Sequence, residues 1–222
     1  MESYRLEGQT FVIDDYDRKP AFSSFLPGLA GVKGIPLWTF YTNRGQGMNS
    51  FGIDNKGNAI MEFNSANTAF ENTQVKGFRT FLKIDGEYYE PFFTYEKEAK
   101  RQMRMNKNSF KIIETNEKYG IEVTVNYYVL PNESIGALVR QVSVKNIGDN
   151  AKEVQVIDGL PKIITYGIAN GEFKEMSNLF KSWADIRNLE NKVPYYTLRA
   201  STKDSAEVSD VEGGYYYLTV RD

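Results

Sequence analysis

The sequence predicts a mostly β chain folded as an antiparallel β-sandwich, on three observations: runs of strict apolar alternation, turn residues spaced between them, and a single segment of helical period. In chain order, Ile35-Pro36-Leu37-Trp38-Thr39-Phe40-Tyr41 reads as the first clear strand, and Ala66 to Glu71 as a short, weak helix. Phe78, Thr80, Leu82 and Ile84 share one face of a strand; Asp85-Gly86 then supplies the positive φ of a two-residue hairpin into Glu87–Phe92. Ile121, Val123, Val125, Tyr127 and Val129 alternate with polar neighbours, with looser turns at 116–120 and 146–150. Phe173, Met176, Leu179, Phe180, Trp183, Ile186 and Leu189 recur at three- and four-residue steps, which predicts one amphipathic helix near 171–189 with Asn170 offering an acceptor at its start. Pro194 prevents continuation, and from Val193 the strand pattern returns in Tyr196, Leu198 and Ala200, then in Tyr216, Leu218 and Val220.

Composition narrows the chemistry. With 222 residues, no internal repeat and no linker-like tract, residues 1–222 read as one domain. A net charge of −2 gives no footprint for nucleic acid or anionic lipid. The N-terminus has no signal-peptide pattern and no segment is long enough to span a membrane, so a cytoplasmic protein is expected. The chain has no cysteine and no histidine, which excludes disulfides, thiolate and imidazole metal ligands, and histidine-dependent nucleophilic catalysis. No metal or cofactor is expected.

Among local motifs, Asp14-Asp15-Tyr16-Asp17 gathers carboxylates but lacks the glycine and distal glutamate of a calcium loop, so a solvated turn is the simpler reading. Gly28, Gly31 and Gly34 precede a strand rather than a helix, which argues against a phosphate loop and for a flexible connection. Lys97 to Arg104 with Lys107 forms a basic run without interleaved aromatics, expected to be a solvated face or loop. The richest stretch runs from Trp38 to Gly52: two aromatic strands flank a tip of Asn, Arg and Gln. Planar amide and guanidinium groups make paired hydrogen bonds to sugar hydroxyls, and aromatic faces stack on pyranose rings. Trp38, Tyr41, Asn43, Arg44, Gln46 and Asn49 are therefore the candidate sugar contacts, with an ordinary hairpin and polar turn as the other reading; no catalytic carboxylate pair is identifiable.

The runs Phe11-Val12-Ile13-Asp14-Asp15-Tyr16-Asp17, Phe22-Ser23-Ser24-Phe25-Leu26-Pro27-Gly28-Leu29-Ala30-Gly31, Gly34 to Trp38, Asn43-Arg44-Gly45-Gln46 and Ser50-Phe51-Gly52 resemble the N-terminal region of β-1,2-oligoglucan phosphorylases. These enzymes belong to glycoside hydrolase family 94, with cellobiose phosphorylase a more distant relative. Asn58 to Phe63, Gly77-Phe78-Arg79-Thr80-Phe81, Asp158-Gly159-Leu160-Pro161, Val193-Pro194-Tyr195-Tyr196 and Ala206-Glu207-Val208 fit the same pattern.

The resemblance implies a supersandwich-like N-terminal domain placed before an (α/α)₆ catalytic barrel. It also implies an inverting reaction in which inorganic phosphate, as co-substrate, attacks a β-glucan and releases α-glucose 1-phosphate. The family's acid is an aspartate in the barrel, and one strong helix here does not make that barrel; the strand-like ending at Val220 fits a chain truncated at its C-terminus. This chain alone is thus expected to be non-catalytic, to contact β-glucan oligosaccharide and the barrel, and to be able to homodimerise. A free-standing carbohydrate-binding module and a structural or dimerisation domain are the alternatives. In the structural reading Trp38 and Tyr41 are core residues.

Overall fold

The computed structural model describes residues 3–26, 28–51, 65–93, 97–166, 168–200, 207, 214 and 216–221. The resembling segment Asn58 to Phe63, and Pro27, Gly52, Ala206, Val208 and Tyr215, lie outside these residues.

The chain opens with the hairpin of β1 (Tyr4–Glu7) and β2 (Thr10–Asp14), followed by β3 (Ser23–Leu26), β4 (Leu29–Ala30), β5 (Ile35–Thr42) and β6 (Met48–Phe51). Helix α1 (Ala66–Lys76) precedes β7 (Arg79–Ile84) and β8 (Glu87–Tyr89). Then come β9 (Lys100–Met105), β10 (Ser109–Asn116), β11 (Ile121–Val129), β12 (Leu138–Asn146) and β13 (Val154–Gly159). The last described elements are α2 (Asn170–Trp183), β14 (Ala184–Arg187) and β15 (Tyr195–Leu198).

The fold is mostly β and antiparallel, as the alternation predicts. A six-stranded sheet runs β1-β2-β9-β10-β11-β12. Smaller sheets are made by β13-β7-β8 and by β3-β5-β4, with β6 paired to β5. One core joins them: Ile112 and Phe110 of β10, Val123, Val125 and Tyr127 of β11, and Met103 of β9 meet Leu82 and Ile84 of β7 and Tyr41 of β5. The period-two pattern causes this directly, because Ile121, Val123, Val125 and Tyr127 point to one face and are buried while their neighbours remain half-exposed. The Asp85-Gly86 hairpin forms as expected, with both residues at positive φ (48° and 94°) between the paired Ile84 and Glu87.

Several expectations need correction. The basic run is solvated only in part: Lys97, Lys100 and Lys107 are exposed, but Lys100–Met105 is an interior strand of the six-stranded sheet, and Arg101 is buried because Glu114 and Asp17 neutralise it there. The weak helix at 66–71 continues to Lys76, since Ala69 and Thr73 reach the core from successive turns. The predicted helix over 171–189 stops at Trp183; it is kinked at Met176, and its N-cap is Ala169 rather than Asn170. Ile186 belongs instead to β14, paired with Tyr196 of β15. These elements surround a small second core of Ile164, Ile168, Phe173 and Phe180. Ala200 lies beyond β15, and residues 216–221 join no described strand. Tyr216 and Leu218, expected to face inward, are exposed.

Candidate functional site

The hairpin of β5 and β6 forms where the aromatic alternation places it, with Trp38 opposite Ser50 and Thr39 opposite Asn49. Its tip folds back onto α1: a Cβ on Gly45 would lie 3.1 Å from the Gln74 backbone, and φ there is +71°. Only glycine meets both demands without strain.

The predicted contacts divide into two groups. Tyr41 is buried and stacks on Phe110, ring centroids 4.3 Å apart, with burial pushing its phenol pKa up. Asn43 is fully buried; its Oδ1 accepts from the Phe22 N–H at 3.1 Å and its Nδ2 faces the carbonyls of Tyr16, Lys19 and Pro20 at 3.0–3.1 Å. Gln46 is buried beside Arg140: its Oε1 accepts from that guanidinium and lies 3.0 Å from the Thr80 hydroxyl, which also donates to Asp158 at 2.6 Å. The Tyr127 hydroxyl donates to the Gln46 carbonyl and accepts from Arg140 Nε at 3.0 Å. Burial, against the pull of Arg140, pushes the Tyr127 phenol up to about 12. These three side chains are thus spent on the protein's own fold, and they face different parts of it.

Trp38 differs. Trp38 is 45% exposed and lies against Phe25, itself 48% exposed, with ring planes 7° apart and centroids 5.1 Å apart. Strand pairing produces this: Phe25 of β3 sits opposite Phe40, one diagonal step from Trp38 on β5. Arg44 donates from Nη1 to the Asp17 and Asn43 carbonyls, both at 2.7 Å, and its guanidinium lies 6.0 Å from the Phe70 ring of α1. Asn49 is placed on β6 by its backbone pairing.

Beside this hairpin is a surface groove of about 320 Å³ between the start of β3 and α1, lined by Ala21, Phe22, Ser23, Ala66, Asn67, Phe70 and Glu71. Asn67, Phe70 and Glu71 fall at i, i+3 and i+4, the spacing that puts them on one helix face. The weak helical signal over 66–71 hid it, since α1 is short of apolar periodicity and its groove face mixes Phe70 with the polar Asn67 and Glu71.

Two ion clusters lie elsewhere. Arg101 donates to Glu114 at 2.5 Å, to Asp17 at 2.8 Å and to the Phe93 carbonyl at 2.8 Å, while Glu114 also receives the Tyr89 hydroxyl and the Phe92 N–H. Burial pushes the Glu114 carboxyl up, against Arg101, which remains charged. Asp14 turns away from Asp17 to Arg5 and Gln102, so the acidic motif is split between separate partners. Among the described residues no group of three or more His, Cys, Asp or Glu is arranged to hold a metal ion, and no helix is long and apolar enough to cross a membrane.

No protein-family model matches this chain, and no curated protein matches its sequence.

Proposed function

We infer that this chain is a carbohydrate-contacting accessory domain, the N-terminal sandwich of a cytoplasmic, inverting β-1,2-oligoglucan phosphorylase of glycoside hydrolase family 94. The observation that carries the reading is the exposed, nearly parallel Phe25–Trp38 pair on the β3–β5 sheet. The two rings cover one another's inner faces, and the apolar surface they leave exposed offers a stacking contact to the C–H face of one glucose ring. The antiparallel sandwich agrees with the architecture that the sequence resemblance implies. Exposed Ile157, Leu189 and Val193 supply apolar surface for the catalytic barrel or a second copy to cover. On this reading the acid of the reaction belongs to the barrel, and phosphate enters there.

A structural or dimerisation role is the second reading, favoured by the burial of Tyr41, Asn43 and Gln46; the exposure of Trp38 weighs against it. Calorimetric titration with β-1,2-gluco-oligosaccharides separates the two. Saturable binding that weakens about tenfold in Trp38→Ala supports the carbohydrate reading. Absence of binding supports the structural one. Glucose 1-phosphate release with phosphate, run in parallel, should stay at background; release above it would contradict the assignment of catalysis to the barrel.

A further inference from the structure

The groove between β3 and α1 is built from chemistry suited to a sugar ring. Its volume of about 320 Å³ stands at the lower end of small-ligand sites. The half-buried rings of Phe22 and Phe70 supply apolar walls, and Ser23, Asn67 and Glu71 bring a hydroxyl, an amide and a carboxylate. Together these offer donors and acceptors for the alternating hydroxyls of a pyranose. Among the described residues Glu71 forms no ion pair, so its carboxylate oxygens can accept from a ligand.

Both walls are held before any ligand arrives. Asn43 bonds the Phe22 N–H and faces the Lys19 and Pro20 carbonyls, which fixes the β3 side. Arg44, tied to the Asp17 carbonyl, lies over Phe70 and fixes the α1 side. The amide and guanidinium that the sequence offers as direct sugar contacts thus shape the groove from behind. Ser23 in the groove and Phe25 on the exposed platform are one strand repeat apart, roughly 7 Å. Sites so spaced on one strand can take successive units of one chain.

We propose that this groove is a second sugar subsite, seating one hexopyranose unit of a glucan whose adjoining part packs on the exposed surface of the Phe25–Trp38 pair. The proposal rests on the carbohydrate reading above and adds to it a polar subsite on α1. The test titrates wild type, Trp38→Ala and the double variant Asn67→Ala/Glu71→Gln with a β-1,2-linked glucose pentasaccharide, with melting temperature followed in each. Asn67 and Glu71 are exposed, so the double variant is expected to fold and melt like wild type. Its affinity for the pentasaccharide should fall about tenfold, the scale of one lost pair of sugar hydrogen bonds. If the double variant binds within twofold of wild type while Trp38→Ala binds weakly, the groove is not a subsite and the platform reading stands. If wild type binds no pentasaccharide, the groove proposal and the carbohydrate reading both fall.

Discussion

The sandwich and the segment from 162 to 200 bury apolar side chains by different means. In the sandwich, aromatic rings and β-branched residues from several strands share one core with a buried Arg101–Glu114 pair on neighbouring strands, which Asp17 joins through Oδ2 while its Oδ1 is buried without a partner. In the later segment, among the described residues, the buried apolar side chains are Ile164 and Ile168 with Phe173 and Phe180 of a kinked helix, and Ile186, Leu189 and Val193 remain exposed. A buried charge is tolerable only where neighbouring strands hold its partners in place, whereas a ribbon of two strands has one apolar layer and little else. The sandwich is therefore the rigid body on which a binding platform can be built.

Four substitutions sharpen this contrast, ordered by their effect on the sandwich. Arg101→Met strands Glu114 and Asp17 without their cation and should cost about 3–5 kcal/mol in urea unfolding. Gly45→Ala forces a left-handed φ and drives a Cβ against the Gln74 backbone, so it should cost more than about 1 kcal/mol and weaken oligosaccharide binding with it. Phe180→Ala empties the smaller core; amide exchange should lose protection over 170–198 while the sandwich transition moves by less than about 0.5 kcal/mol. A full shift of the sandwich transition would show instead that the two regions unfold as one.

The smallest effect concerns acid. Hydrogen bonds from Arg5 and Arg104 hold Glu7 below the ordinary carboxylate value; for Asp14 burial pushes upward, but Gln102 and Arg5 outweigh it. A carboxylate depressed in the folded state stabilises above its unfolded pKa, and that contribution is lost as pH falls through the folded value. The melting temperature should therefore decline below about pH 4. Glu7→Gln should flatten that decline slightly, because these groups are solvent-screened. Melts at a series of pH values, with an unchanged slope in the variant, would remove the cluster from the acid response.

Two strands were legible because each has one dry face: Ile121 to Tyr127 and Thr80 to Ile84 need only alternation to be placed. The charged strand was not, because Arg101 and Glu114 look like surface residues until β9 and β10 pair and bring them together. Ile186 and Leu189 continued a three-residue step that a short strand also satisfies, so periodicity alone could not end α2 at Trp183. In the hairpin, residue types revealed hydrogen-bonding capacity but not its direction. Asn43 and Gln46 turn inward to the chain's own carbonyls, hydroxyls and cations, and Trp38 faces outward. The groove on α1 depends on a helix whose sequence carries little amphipathic signal, so nothing short of the fold places Asn67 and Glu71 beside Ser23.

The two tryptophans report on the two regions separately: Trp38 on the exposed sheet and Trp183 packed edge-on against Phe180 in the smaller core. The measurement is an NMR titration of their indole N–H signals with a β-1,2-linked glucose pentasaccharide. The Trp38 signal should shift and saturate with ligand while that of Trp183 stays in place. A Trp38 signal unmoved at saturating sugar, or a response confined to Trp183, would contradict a carbohydrate platform on the β3–β5 sheet.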